Sequence, residues 1–175
     1  IGGNSMGGYL AGLYASRYFK DVASLWLLAP AGVLSAEPSE LMGLLDQGDN
    51  PLLVDDRDSY ERLVDMCFTK PPYVPGPFKR CICVESMENR EFHAKLFEDL
   101  MSDPHPLEEA LADSAIPTLI TWGDEDRILD PSGAPRLAKV MANAKFDIME
   151  RMGHVPMIER PKETAEQFLA FQQSS

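Results

Sequence analysis

Apolar and polar positions change rhythm three times along the chain. Residues 6–18 place Leu10, Leu13, Tyr14 and Tyr18 at helical spacing, with the small residues Gly7, Gly8, Ala11, Gly12 and Ala15 between them. This predicts a helix that can pack close to a sheet. Residues 22–28 (VASLWLL) are almost wholly apolar and end in Ala29-Pro30-Ala31-Gly32, the pattern of a strand buried on both faces. From 33 to 115 the pattern breaks up. Eight of the 14 prolines lie there, and Pro71-Pro72-Tyr73-Val74-Pro75-Gly76-Pro77 separates amphipathic stretches at 40–47, 59–68 and 89–101. In the last of these, Phe92, Leu96, Phe97 and Leu100 share a face. Regularity returns with a strand at 117–122, a turn at 123–126 and a helix to about 141, begun by Asp130 as N-cap and Pro131. A strand at 145–150, a loop at 152–154 and a helix from Pro161 follow, the helix turning Ala165, Phe168 and Leu169 to the core. The order predicts a parallel α/β sheet in two stretches, 1–32 and 116–175, interrupted by a helical insertion at 33–115.

Charge sharpens that division. The insertion carries 18 acidic and 7 basic side chains, so it holds nearly all of the net charge of −12. Such a balance argues against a nucleic-acid partner. Cys67, Cys81 and Cys83 are an odd number without zinc-site spacing, and read as buried or half-buried free thiols. They fit a reducing compartment and favour a cytoplasmic setting. No apolar run reaches the roughly 20 residues of a membrane span. No signal pattern lies at the start, although a segment lost upstream could carry a signal or anchor.

The candidate chemistry begins at Gly3-Asn4-Ser5-Met6-Gly7, where an apolar strand would end and a helix begin. A sharp turn there would force strand and helix together, and side chains at Gly3 and Gly7 would clash. It would project Ser5 from the sheet edge and leave the Met6 N–H to stabilise an oxyanion. A glycine-rich phosphate loop is the competing reading, and the Walker lysine is missing. A serine hydroxyl needs a base, and the base needs an orienting carboxylate. His93, on a polar helix face, and His105, between prolines, read as solvated; His154 lies in a Gly-led loop after the last strand. Of Asp124, Glu125, Asp126 and Asp130, Asp126 is best placed to turn back toward the sheet edge. Asp130 reads as a helix cap, and Asp124 and Glu125 as solvated turn residues.

Taken together, GNSMGG, TWGDEDRILD and GHVPMIERP make the chain resemble the C-terminal part of an α/β-hydrolase along nearly all 175 residues. The order Ser5, Asp126, His154 is the one that family uses. The segments DVASLWLLAPAGV, ILDPSGAPRLAKVMANA and ERMGHVPMIERPKETA resemble bacterial lipases and the animal monoacylglycerol lipase of the α/β-hydrolase-domain series. The resemblance implies an eight-stranded fold whose first four strands and most of the fifth lie upstream. The loop donating the second oxyanion N–H, often a His-Gly motif, would lie there too. The missing N-terminal half is thus an expected structural partner.

The implied function is a serine hydrolase of carboxylic esters or lipids using Ser5, His154 and Asp126, with no metal or cofactor. The insertion would be a cap over the acyl pocket. Two alternatives stand beside it. One is a hydrolase of carbon–carbon bonds in ring-fission products, which shares the elbow but usually carries an aromatic where this chain has Val155-Pro156-Met157. The other is a non-catalytic piece with a binding or structural role.

Overall fold

The computed structural model describes residues 1–174, in which each apolar run is a strand and each amphipathic run a helix. Strand β1 (Gly2–Ser5) runs directly into helix α1 (Met6–Arg17). Strand β2 (Leu25–Pro30) follows a short 3₁₀ turn at Phe19–Asp21. Helices α2 (Glu40–Asp46), α3 (Arg57–Cys67), α4 (Gly76–Glu88) and α5 (Arg90–Ser102) form the excursion. The short α6 (Leu107–Ala110) leads back to β3 (Thr118–Gly123), α7 (Gly133–Val140) and β4 (Ala144–Met149). The chain closes with α8 (Pro156–Glu159) and α9 (Pro161–Gln173).

The sheet order is β1-β2-β3-β4 and every pairing is parallel. All six residues of β3 are buried, as a central strand between helical layers requires. Its two buried threonines are paired: the Thr118 hydroxyl donates to the Ile116 carbonyl at 2.9 Å, and Thr121 Oγ1 accepts from the Trp26 indole at 3.0 Å. Strand β2 starts three residues later than the apolar run predicts, because it pairs only from Leu25, opposite Thr118. At its far end the register slips so that Ser5 faces Pro30, and Ala29 bulges out with φ of 39°. The ladder therefore ends where Ser5 turns away from the sheet.

In α1 the small residues turn inward and allow the close packing expected, whereas the face of α9 differs from the predicted one. In α1 the buried residues are Gly8, Tyr9, Ala11, Gly12 and Ala15, while Leu10, Tyr14 and Tyr18 point outward. Close approach decides this: a Cβ on Gly12 would come within 2.8 Å of Leu107 Cδ2. In α9 the inward residues are Thr164, Phe168 and Phe171, with Phe168 stacked on Trp26 at 4.5 Å between ring centroids, and Ala165 and Leu169 are exposed. Helix α7 begins at Gly133, later than Asp130-Pro131 suggests, because the Asp130 side chain caps a turn by accepting from Ser132 N.

The excursion is not uniform. Leu107 and Leu111 are fully buried in the main core with Tyr9, Leu25 and Ile120, so the last part of the stretch read as insertion belongs to the core layer. Burial of each contributes on the order of 2 kcal/mol. Helix α3 is started by a capping box, in which Asp56 accepts from Ser59 N at 2.8 Å and Ser59 Oγ from Asp56 N at 3.0 Å. Helix α4, which the proline run obscured, buries only Cys83. Phe92 of α5 is exposed, and Leu96, Phe97 and Leu100 are half-buried. Of the three free cysteines, Cys83 is buried and Cys67 half-buried, but Cys81 is exposed, contrary to the expectation for all three. Among the described residues no helix is long and apolar enough to cross a membrane.

Candidate active site

Ser5 joins β1 to α1 with φ of 54° and ψ of −122°, a left-handed backbone that a non-glycine residue adopts at a cost of about 1–3 kcal/mol. The next residue opens α1, so the Met6 N–H is among the first-turn amides without an intrahelical carbonyl. Ser5 and Met6 both line a cavity of about 620 Å³. The steric demand on the glycines differs in part from expectation. A Cβ at Gly3 would overlap the backbone of Gly7, as expected. At Gly7 itself a Cβ would meet nothing within 4 Å among the described residues. The second tight position is Gly8, where a Cβ would lie 2.9 Å from Gly3 O and 3.0 Å from Pro30 Cβ. The correction is geometric: Gly8, not Gly7, turns its Cα toward the end of β2.

The candidate acid and base meet below the surface. His154 Nδ1 lies 2.8 Å from Asp126 Oδ2, and the two side chains are 6% and 0% exposed. A carboxylate oxygen only accepts, so Nδ1–H donates, and in the neutral imidazole the lone pair is then on Nε2. Three further donors fix the carboxylate. Trp122 Nε1 donates to Oδ2 at 3.0 Å, while Ile128 N and Leu129 N donate to Oδ1 at 2.9 and 3.0 Å. Asp124 instead accepts from Met152 N at 3.2 Å, and Glu125 is exposed. The acid loop and the His154 loop also touch main chain to main chain: a Cβ at Gly123 would overlap the carbonyls of Met152 and Gly153.

Asn4 connects this pair to the elbow. Its Nδ2 donates to His154 O at 3.0 Å and to Leu28 O at 3.1 Å, holding the histidine main chain against the strand that ends in Ser5. A serine at a strand-to-helix turn and a buried His–Asp pair, tied together through Asn4, are features of one large enzyme family. A profile of the Alpha/beta hydrolase family matches residues 1–167. The chain belongs to that family.

Among α/β-hydrolases the chain is similar to several lipases. Lipase 1 of Psychrobacter immobilis is 39% identical over 173 residues, covering 98% of this chain and 54% of that protein. Human monoacylglycerol lipase ABHD6 is 32% identical over 178 residues, covering 97% of this chain and 53% of that protein. The crystal structure of a membrane phospholipase A, a bacterial virulence factor, superposes with a TM-score of 0.96 at 42% identity, covering 99% of this chain and 56% of that one. The chain thus spans about half the length of the curated relatives it matches.

In this α/β-hydrolase chain the remaining candidates fall outside the His–Asp pair. His93 and His105 line the cavity from the cap side, and His105 Nε2 lies 3.5 Å from Asp103. His105 is exposed, as expected, while His93 is half-buried. Asp130 also lines the cavity while capping its turn. Among the described residues no group of three or more His, Cys, Asp and Glu could hold a metal ion.

Several contributors were not visible in the sequence. The Cys67 carbonyl accepts from His154 N at 2.8 Å, bringing the end of α3 to the base. Burial, with the Asp126 charge adding to it, pushes the Cys67 thiol up to about 12, so it stays protonated and is no rival nucleophile. Arg127 binds Glu40 through two bonds, at 2.7 and 2.8 Å, and Asp65 Oδ2 at 2.9 Å. These hydrogen bonds raise the Arg127 pKa further above its usual value and tie α2 and α3 to the acid loop. Only Asn4 carried a sequence signal, as a polar residue inside the elbow string.

Proposed function

We propose that the protein containing this chain is a serine carboxylic-ester hydrolase of the lipase or monoacylglycerol-lipase kind. Ser5 Oγ adds to the ester carbonyl while His154 Nε2 takes its proton, and the Met6 N–H stabilises the resulting oxyanion. His154 then protonates the departing alcohol, leaving acyl-Ser5. Water, deprotonated by the same nitrogen, releases the acid. Asp126 holds the imidazole in the required tautomer and stabilises its charged form. This chemistry draws on no metal or cofactor.

The observation that carries the reading is the buried 2.8 Å bond between His154 and Asp126, tied through Asn4 to the strand bearing Ser5. The substrate class rests on the cavity. Leu41, Met42 and Leu45 of α2, Leu96 and Phe97 of α5, and Ile128 offer an acyl chain an apolar wall next to Ser5. The cap is formed by α2–α5.

The test is labelling of the whole protein with a fluorophosphonate, mapping of the adduct, and turnover of p-nitrophenyl esters. Labelling at Ser5, with both label and turnover lost in Ser5→Ala, is expected. Preference for vinylogous diketone acids would favour carbon–carbon hydrolysis. No label and no turnover would leave a binding or structural role.

A further inference from the structure

The loop that carries His154 is held on the cap side almost entirely by main-chain contacts. A Cβ at Gly153 would lie 3.0 Å from Phe68 Cα and from Thr69 N, so the two backbones touch with no room for a side chain between them. Apolar packing cannot set their alignment there, and polar groups must. One is the His154 N to Cys67 O bond already described. The other is a single carboxylate.

Glu159 ends the one-turn helix α8, which starts two residues after His154. Its Oε1 accepts from Lys70 N at 2.8 Å, and its Oε2 accepts from Thr69 N at 3.2 Å and from Gly153 N at 3.3 Å. The half-buried carboxylate therefore bridges two segments that are more than 80 residues apart in sequence. One of its three donors belongs to the residue immediately before His154. Its own position is rigid, because Glu159 N donates to Val155 O at 3.1 Å and Thr164 Oγ1 donates to Pro156 O at 3.0 Å.

We infer that Glu159 is a positioning residue for His154, acting through Gly153 and the cap segment 67–70. Asp126 fixes the imidazole by its ring nitrogen, and Asn4 fixes the carbonyl. Glu159 fixes the Met152–Gly153 peptide, one peptide before the one that carries the His154 N–H. Charge matters because an ionised carboxylate offers acceptors to all three amides, and such bonds are stronger than neutral ones. A glutamine keeps one oxygen and turns an NH₂ group toward amide donors. It should therefore replace the carboxylate only in part. The inference rests on the ester-hydrolase reading for its kinetic consequence but not for its structural one.

The experiment uses the whole protein with Glu159→Ala and Glu159→Gln. Turnover of p-nitrophenyl butyrate is measured per active site titrated with a fluorophosphonate, alongside hydrogen exchange of the peptides carrying 67–70 and 152–154. Misplacement of the base should lower kcat about 10- to 100-fold in the alanine variant, with KM little changed. The glutamine variant should fall between alanine and the parent. Exchange should quicken in both peptides of the alanine variant. Unchanged kcat per titrated site, or unchanged exchange at both segments, overturns the assignment. If the parent protein neither titrates nor turns over ester, the hydrolase reading fails, and the exchange data still decide whether Glu159 holds the loop. Should the alanine variant not fold, the same two readouts on the glutamine variant decide it.

Discussion

The side-chain amide of Asn4 donates to the main-chain oxygen of His154 at 3.0 Å, across 150 residues of sequence. The residue before Ser5 thus holds the backbone of His154. The same amide donates to Leu28 O, so one side chain ties β1, β2 and the His154 loop together. Each bond contributes about 0.5–1.5 kcal/mol net, and unpaired carbonyls cost more when half-buried. Asn4→Ala should therefore destabilise by about 1–3 kcal/mol and lower kcat. Asn4→Asp should be worse than alanine, since it sets a carboxylate against two carbonyl oxygens. Thermal unfolding and kcat on a p-nitrophenyl ester read both effects. Equal behaviour of the two variants would show that the amide does not donate as described.

Asp126, not Asp124, should govern the base. An asparagine at 126 would present an NH₂ group or a weaker acceptor to Nδ1, favouring the wrong tautomer, and a fall in kcat of about 10⁴-fold is the precedent for such a change. Asp124→Asn keeps an oxygen for Met152 N, so its effect should be small. Parallel kcat measurements on the two variants test the ranking, and the reverse order would mean that the buried pair is structural only.

Arg127 should make cap attachment depend on acid. Its hydrogen bonds hold the Glu40 carboxyl below the usual 4.5, so the pair adds stability that is fully present above that value and is lost as pH falls through the lower folded value. Both partners are substantially exposed, so the contribution is modest, within about 1 kcal/mol for each pair. Arg127→Met should lower the melting temperature at pH 7, and the gap to the parent should narrow as the pH is taken well below 4.5. A gap that stays constant down to strongly acidic pH would show that the guanidinium contributes packing alone.

What the sequence disclosed, and what it hid, follows from the range of each interaction. The turn at Ser5 and the pairing of Asp126 with His154 were legible because each lies at or after a strand end flagged by local signals: a glycine bracket, a Gly-Asp turn and a Gly-His loop. The parallel sheet was legible because β2 is uniformly apolar and β3 carries only two threonines among its apolar residues. The close packing of α1 was legible in its small residues, but the need for glycine at position 12 was not, because it depends on Leu107. The demand for Gly8 in place of Gly7 was hidden for the same reason, since it depends on Pro30. Asn4 and Glu159 act across 150 and about 90 residues, distances at which no periodicity reports. Helix α4 was masked because it buries one residue and so has almost no amphipathic signal.

The outward side of β1 and α1 leads to the last prediction. Among the described residues β1 pairs with β2 alone, so its other edge presents unpaired backbone groups. Leu10, Tyr14, Tyr18 and Phe19 stand exposed beside it, between 42% and 59% open to solvent. An unpaired strand edge next to such an apolar surface invites edge-to-edge association. Residues 1–175 produced by themselves should therefore aggregate, and the surface should behave as one that needs cover. Two surface changes separate causes: Leu10→Lys with Tyr14→Glu should reduce aggregation by breaking the apolar face, while Leu169→Lys, on exposed α9, should not. Light scattering during a thermal ramp and sedimentation velocity provide the readouts. A monodisperse monomer with one cooperative unfolding transition in the unaltered 175-residue chain would show that the edge and the α1 face are tolerated as they stand.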